Sequence, residues 1–181
     1  MNDGFSGSII DPDSPSFDRL RQRLGPEFHE NGKGLAQGDL NGDGYVDLIG
    51  TNSNGESLDS SGNRFITSGP LFVWLNGGGG NNWATLRLKG RMGEDGTGSN
   101  ADAIGARVFI ESVGFDGESV TQVQDVLGSS SFLSMSSLDL NFGLGEAEQI
   151  DKLIIRWPSG VVQELSGLKA NQVHEILEPR S

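Results

Sequence analysis

Ile150-Asp151-Lys152-Leu153-Ile154-Ile155-Arg156-Trp157-Pro158-Ser159-Gly160-Val161-Val162-Gln163-Glu164-Leu165 is the stretch on which the fold class turns. Two alternating runs of strand length flank Pro158-Ser159-Gly160, a tripeptide suited to a tight reversal. The reading is a β-hairpin.

The same pattern extends outward in both directions. Residues 83–88, 104–111, 120–127 and 138–142 alternate apolar with polar, and residues 173–177 close the series. Further upstream, Leu71-Phe72-Val73-Trp74-Leu75 is a continuous apolar run that predicts a buried strand, and residues 35–39 and 46–50 predict two more. The 28 glycines among 181 residues supply turns for so many short strands. The expected fold is all-β. An antiparallel sandwich or barrel-like domain covers 81–181, a short β segment around an acidic loop covers 35–80, and an arm with one short helix covers 1–34. The helix is predicted over 17–24, with Phe17, Leu20 and Leu24 at helical spacing, Ser16 as N-cap and Gly25-Pro26 as the stop. Gly77 to Gly80 read as the linker ahead of the larger domain. Residues 51–69 are polar throughout and read as a solvated loop, in which Asn52, Asn54, Glu56, Asp59 and Asn63 are irregularly spaced oxygens.

Charge narrows the range of partners. The formal net charge is −12. It is evenly spread, with 11 acids against 5 bases in residues 1–64 and 14 against 8 in residues 81–181. Without a basic patch, nucleic acid and anionic membrane are poor partners, and cations or basic surfaces are better ones. The chain has no cysteine, so thiolate metal sites and disulfides are excluded. No apolar run reaches the length of a membrane span, and Met1-Asn2-Asp3-Gly4 does not resemble a signal peptide.

The sharpest chemical signal is Asp39-Leu40-Asn41-Gly42-Asp43-Gly44-Tyr45-Val46-Asp47. Asp39, Asn41, Asp43 and Asp47 repeat oxygen-bearing side chains at two- and four-residue spacing, with glycines between them that let the backbone curl. Hard cations such as Ca²⁺ take six to eight oxygens at short range, and the Tyr45 carbonyl stands where such loops contribute one. The spacing opens like an EF-hand loop, but Gly50 stands where a bidentate Glu closes that motif, and a strand follows instead of a helix. The alternative is a polar Asx turn whose acids cap backbone amides. Repulsion among three carboxylates in one loop favours the cation.

Catalytic constellations are not evident. His29 and His174 have ordinary surface or core-edge surroundings, and Ser129-Ser130-Ser131 lacks a Gly-x-Ser-x-Gly elbow. Gly77 to Gly80 are not followed by the Lys-Ser/Thr of a phosphate loop. Arg107 with Asp125 reads as a structural ion pair, and Glu94-Asp95 as a surface carboxylate pair. Trp74, Trp83 and Trp157 can form a sugar-stacking platform, yet each sits in an alternating strand, where a core role is favoured. The expectation is a protein that is not an enzyme.

With these residues in view, Gly34-Leu35-Ala36-Gln37-Gly38-Asp39 and the loop after it resemble an FG-GAP/VCBS-type calcium-binding repeat. The stretch from Asn82-Trp83-Ala84-Thr85-Leu86-Arg87 through Asp102-Ala103-Ile104-Gly105-Ala106-Arg107, Leu140-Asn141-Phe142-Gly143-Leu144-Gly145 and Ile155-Arg156-Trp157-Pro158-Ser159-Gly160 to Ala170-Asn171-Gln172 resembles an ASPIC/UnbV domain. The resemblance implies Ca²⁺ held by Asp39, Asn41, Asp43, the Tyr45 carbonyl and Asp47. It also implies an extracellular or cell-surface β-protein with a structural or adhesive role. The alternatives are a glycan- or protein-binding module and an accessory domain of a biosynthetic system. Only one repeat is recognisable, so unpaired strand edges call for cover. That cover comes from the neighbouring domain, or from a second copy in a homo-oligomer, with the arm around Ile9-Ile10 adding as a strand.

Overall fold

The computed structural model describes residues 5–7, 32–52, 55–58, 60–67, 71–114, 117–129 and 134–180. These form strands almost throughout, as the alternation requires, and the chain divides into two compact units. The first comprises residues 1–40, 46–77 and 130–136, and the second residues 41–45, 78–129 and 137–181. The predicted helix at 17–24 and the Ile9-Ile10 pair lie outside the described residues.

In the first unit, β1 (Phe5–Gly7), β2 (Gly32–Gly38), β3 (Asp47–Asn52) and β6 (Leu71–Asn76) make one antiparallel sheet in the order β1-β6-β3-β2. The N-terminal arm thus contributes a strand within its own chain, with Phe5 opposite Asn76 and Gly7 opposite Trp74. β4 (Gly55–Leu58) and β5 (Arg64–Thr67) form a separate two-stranded hairpin. That corrects the reading of 51–69 as a structureless loop. Arg64-Phe65-Ile66-Thr67 has strand propensity, but the Ser, Asn and Gly around it mask the signal. β6 is a second correction, because it is not buried. Leu71, Val73 and Leu75 point to one face and are 65%, 39% and 41% exposed, while Phe72 and Trp74 stack on the other, 5.5 Å apart. A continuous apolar run cannot reveal which of its two faces is covered.

The second unit is a sandwich. β7 (Asn82–Lys89) is the centre of a three-stranded sheet, with β10 (Leu140–Gly145) on one side and β13 (Gln172–Leu177) on the other. The facing sheet runs β12-β11-β8-β9, built from β8 (Arg107–Val113), β9 (Ser119–Asp125), β11 (Gln149–Arg156) and β12 (Val162–Lys169). The core is the alternate residues of both sheets. Ala84, Leu86, Leu88, Leu140, Phe142, Leu144 and Ile176 come from the first, and Val108, Ile110, Ile150, Leu153 and Ile155 from the second. The Trp157-Pro158-Ser159-Gly160 reversal joins β11 to β12, with the Trp157 N–H donating to the Val161 carbonyl at 2.9 Å.

Two details differ from the expected antiparallel pattern. β13 pairs with β7 in parallel, Gln172 opposite Ala84 through Leu177 opposite Lys89. β8 begins at Arg107 and not at residue 104, because Asn100 staples a turn there. Its Nδ2 donates to the Ile104 carbonyl at 2.8 Å and its Oδ1 accepts the Ile104 N–H at 2.9 Å.

Phe142 is 1% exposed on β10, opposite Ala84 of β7. Phe142→Ala is expected to cost about 3–5 kcal/mol through lost transfer energy and the residual cavity, measured by guanidinium unfolding of wild type and variant.

Candidate functional site

The acidic loop spans the connection between β2 and β3, whose last pair is Gly38 with Asp47. Gly42 and Gly44 take φ of 77° and 87°, the left-handed conformation that glycine reaches without penalty. Between them the side chains form successive Asx turns. Asn41 Oδ1 accepts the Asp43 N–H at 3.1 Å, Asn41 Nδ2 donates to Asp43 Oδ2 at 2.8 Å, and Asp43 Oδ1 accepts the Tyr45 N–H at 2.9 Å. Asn41 and Asp43 are exposed.

Asp47 behaves differently. It is fully buried, and its two oxygens accept the Leu40 N–H at 2.8 Å and the Asn76 N–H at 2.7 Å. A buried carboxylate without such donors would be strongly unfavourable. Here it binds the root of the loop to the end of β6, and Asn76 Nδ2 reinforces the junction through the Val46 carbonyl.

The tip of the loop is held just as firmly within the second unit. The Tyr45 hydroxyl lies 2.8 Å from the Gly79 carbonyl and 3.1 Å from that of Asn81. Gly44 lies flat against the Trp83 indole, where an added Cβ would sit 1.8 Å from a ring carbon. The Gly-rich segment therefore packs against Tyr45 at Gly78, where a Cβ would approach the ring to 2.9 Å.

As a metal site, the loop has suitable chemistry, since its donors are carboxylate, amide and carbonyl oxygens. The side-chain oxygens of Asn41 and Asp43, however, accept from amides of the loop itself. Among the described residues, no three His, Asp or Glu side chains gather where they could hold a metal ion.

The other sequence candidates occupy structural positions. Arg107 and Asp125 face each other across β8 and β9 in a bidentate pair at 2.7 and 2.8 Å. The guanidinium lowers the Asp125 carboxyl below the usual range, and the pair is largely solvent-exposed. Asp95 is lowered first by the Thr97 hydroxyl and then by Arg91. Glu94 borders a shallow cavity of about 380 Å³, whose walls include the Arg87–Asp139 ion pair. His174 contacts the Lys169 carbonyl at 2.8 Å. Trp157 is a core residue whose Nε1 donates to Gln163 at 3.0 Å, and Trp83 and Trp74 are half-buried. His29, Ser130, Ser131, Asn54 and Asp59 lie outside the described residues.

Sequence reasoning missed Glu178. It is 1% exposed, and its carboxylate gathers donors from three segments. Oε2 accepts the Ser99 N–H at 2.7 Å and the Arg91 N–H at 3.1 Å, while Oε1 accepts the Ser99 hydroxyl at 2.8 Å and the Ser159 hydroxyl. Burial pushes the carboxyl up, but the hydrogen bonds from Ser159, Ser99 and Arg91 together outweigh it, and the net shift is downward. Gly98, at φ 66°, leaves room for the acid, because a Cβ there would lie 2.5 Å from Oε2. In the sequence, Leu177-Glu178-Pro179 looks like any solvated strand end.

Residues 96–181 match the ASPIC and UnbV family model. The second part of the chain is thus similar to the ASPIC/UnbV family. The match begins beyond β7, although β7 supplies the centre of one of the domain's two sheets. Over 170 residues, 90% of its length, the chain is 31% identical to human cartilage acidic protein 1, and over the same length 30% identical to the mouse protein. It spans only 22% and 23% of those two relatives. No solved structure matches it. No helix among the described residues is long and apolar enough to cross a membrane.

Because its native pKa is depressed, Glu178 stabilises the fold above the ordinary glutamate range. That contribution disappears as pH falls through the lowered native value. Glu178→Gln leaves buried donors facing an amide N–H₂ and is expected to cost about 1–3 kcal/mol at neutral pH. The gap between wild type and variant should narrow on acidification, as followed by urea unfolding across a pH series. Gly44→Ala is expected to destabilise through both its φ and the Trp83 clash, and should shift Trp fluorescence.

Proposed function

We propose that the chain is part of a non-enzymatic, extracellular structural or adhesion protein, whose loop at 39–47 takes Ca²⁺ in the manner of an FG-GAP/VCBS repeat. The observation that carries this reading is a single alignment to cartilage acidic protein 1. At 90% of the chain it must run through both the acidic loop and the ASPIC/UnbV region. The relative's name joins cartilage to acidity, and this chain carries a formal −12. The placement of the charged groups agrees with a structural role, since Glu178, Asp47, Asp125 and Asp139 are each engaged with amides, hydroxyls or guanidinium groups.

For calcium, the supporting feature is a loop curled by two left-handed glycines that presents Asn41 and Asp43 to solvent. The proposed ligands are Asp39, Asn41, Asp43, the Tyr45 carbonyl and Asp47. To bind the ion, Asn41 and Asp43 exchange their mutual hydrogen bond for metal–oxygen contacts, and the cation offsets the repulsion among the carboxylates of Asp39, Asp43 and Asp47. Binding then adds to folding stability by mass action, about 2.7 kcal/mol at a hundredfold excess over Kd. Saturating Ca²⁺ is expected to raise the melting temperature of the wild type and leave that of Asp43→Ala unchanged. A wild-type melting curve that is the same in calcium and in chelator overturns the calcium reading.

Homo-oligomer formation is part of the same proposal. β1 pairs with β6 through only three residues, so the strand can exchange onto the β6 of a second copy at little cost. Deleting residues 1–16 should lower the particle mass seen by light scattering, whereas unchanged assembly counts against strand exchange.

A further inference from the structure

Two Asn-Gly pairs fall within the described residues, Asn41-Gly42 in the acidic loop and Asn76-Gly77 at the end of β6. An asparagine followed by glycine can lose its side-chain amide, because the next backbone nitrogen meets no side chain as it attacks Cγ. The structure treats the two pairs in opposite ways. We infer that Asn41 is a self-processing modification site, and that the fold protects Asn76.

At Asn41 both ends of the side-chain amide are held by Asp43. The Gly42 nitrogen attacks Asn41 Cγ, and a tetrahedral oxyanion develops on Oδ1. The Asp43 N–H already donates to that oxygen at 3.1 Å, where it stabilises the developing charge. The departing nitrogen, Nδ2, donates to Asp43 Oδ2 at 2.8 Å. The proton lost by the Gly42 amide goes to solvent, and the leaving nitrogen takes one from solvent. The Cγ–Nδ2 bond breaks, ammonia departs, and a five-membered imide joins residues 41 and 42. Solvent water then opens either imide carbonyl, giving aspartate or isoaspartate at position 41. One water is consumed and one ammonia released, with no change of oxidation state. Gly42 is exposed, and apart from its two chain neighbours nothing lies within 4 Å of where its Cβ would stand, so water can reach this side of the loop.

Asn76 has the opposite surroundings. It is part-buried at the end of β6 and opposite Phe5. Its N–H is fixed on the buried Asp47 carboxylate at 2.7 Å, and its Nδ2 on the Val46 carbonyl at 3.3 Å. Strand pairing on one side and the Asp47 anchor on the other resist the rotation that cyclisation demands.

Conversion at Asn41 adds a charge beside Asp43. The isoaspartate product also routes the backbone through the side chain and adds a methylene to the loop. Both products alter the one segment that pins Gly44 onto Trp83.

The test uses the whole chain in chelator at mildly alkaline pH, native and in guanidinium, with timed peptide mapping by mass spectrometry. The chelator keeps Asn41 in its hydrogen-bonded arrangement, so the outcome is separate from that of the calcium experiment. In guanidinium both asparagines should convert at similar rates. Folding should slow Asn76 by about tenfold or more, since its conversion then needs local opening, and should leave Asn41 as fast or faster. Folding that slows Asn41 as much as Asn76, or an Asn41 that keeps its amide, overturns the inference. Asp43→Ala should slow conversion at Asn41 in the native chain but not in guanidinium. An unchanged native rate in that variant overturns the part assigned to the Asp43 carboxylate.

Discussion

Everything in the C-terminal unit depends on one apolar layer. Leu86, Phe142 and Ile176 on one sheet meet Val108, Ile110, Leu153 and Ile155 on the other, all nearly or fully excluded from solvent. Each large side chain contributes about 1.5–3 kcal/mol by leaving water. The layer fixes strand register, because a slip of one residue on β7 would exchange Leu86 for Arg87. It also sets where the polar periphery stands. Arg87, Lys89 and Arg107 must point outward, and each has a carboxylate across the strand or at the sheet edge.

An acidic chain must place its carboxylates without building a repulsive interior. The two that are buried among the described residues show how. Asp47 and Glu178 each collect donors from separate segments, so a charge that would be prohibitive in isolation becomes a junction. Asp47 joins the loop to β6. Glu178 joins the turn at Arg91, the segment at Ser99 and the β11–β12 reversal at Ser159. The exposed loop side chains are arranged more loosely, with the Asn41 amide and the Asp43 carboxylate bonded to each other and to the next backbone amides. That looser arrangement leaves them available to a cation or to their own chemistry.

The strands of the sandwich could be read from the sequence because one face of each is buried, which prints a period of two on Trp83 to Leu88 and on Ile150 to Trp157. The β4–β5 hairpin left no such print, since its polar residues differ little from those of its turn. The parallel course of β13 was equally hidden, because alternation records which face is buried and not which way a strand runs. The acidic loop announced its oxygens but not their orientation. Three carboxylates at cation spacing read the same whether they face a metal or their own amides. Glu178 was illegible for a related reason. What distinguishes it is the convergence of Arg91, Ser99 and Ser159, residues far apart in the chain.

The pairing of β7 with β13 joins the first strand of the sandwich to the last. The Trp83 N–H reaches Asn171 Oδ1 across 88 positions of sequence. Such long-range closure makes for slow folding, since loop entropy is spent before the contact forms. During synthesis β7 emerges first, with both edges open until β10 is made and the edge that β13 takes open until the end. Over that interval its exposed Ala84, Leu86 and Leu88 are a site for mispairing between nascent chains. The domain's hazard therefore lies in the order of its manufacture, in a strand that is central once folded and incompletely paired until the last partner arrives.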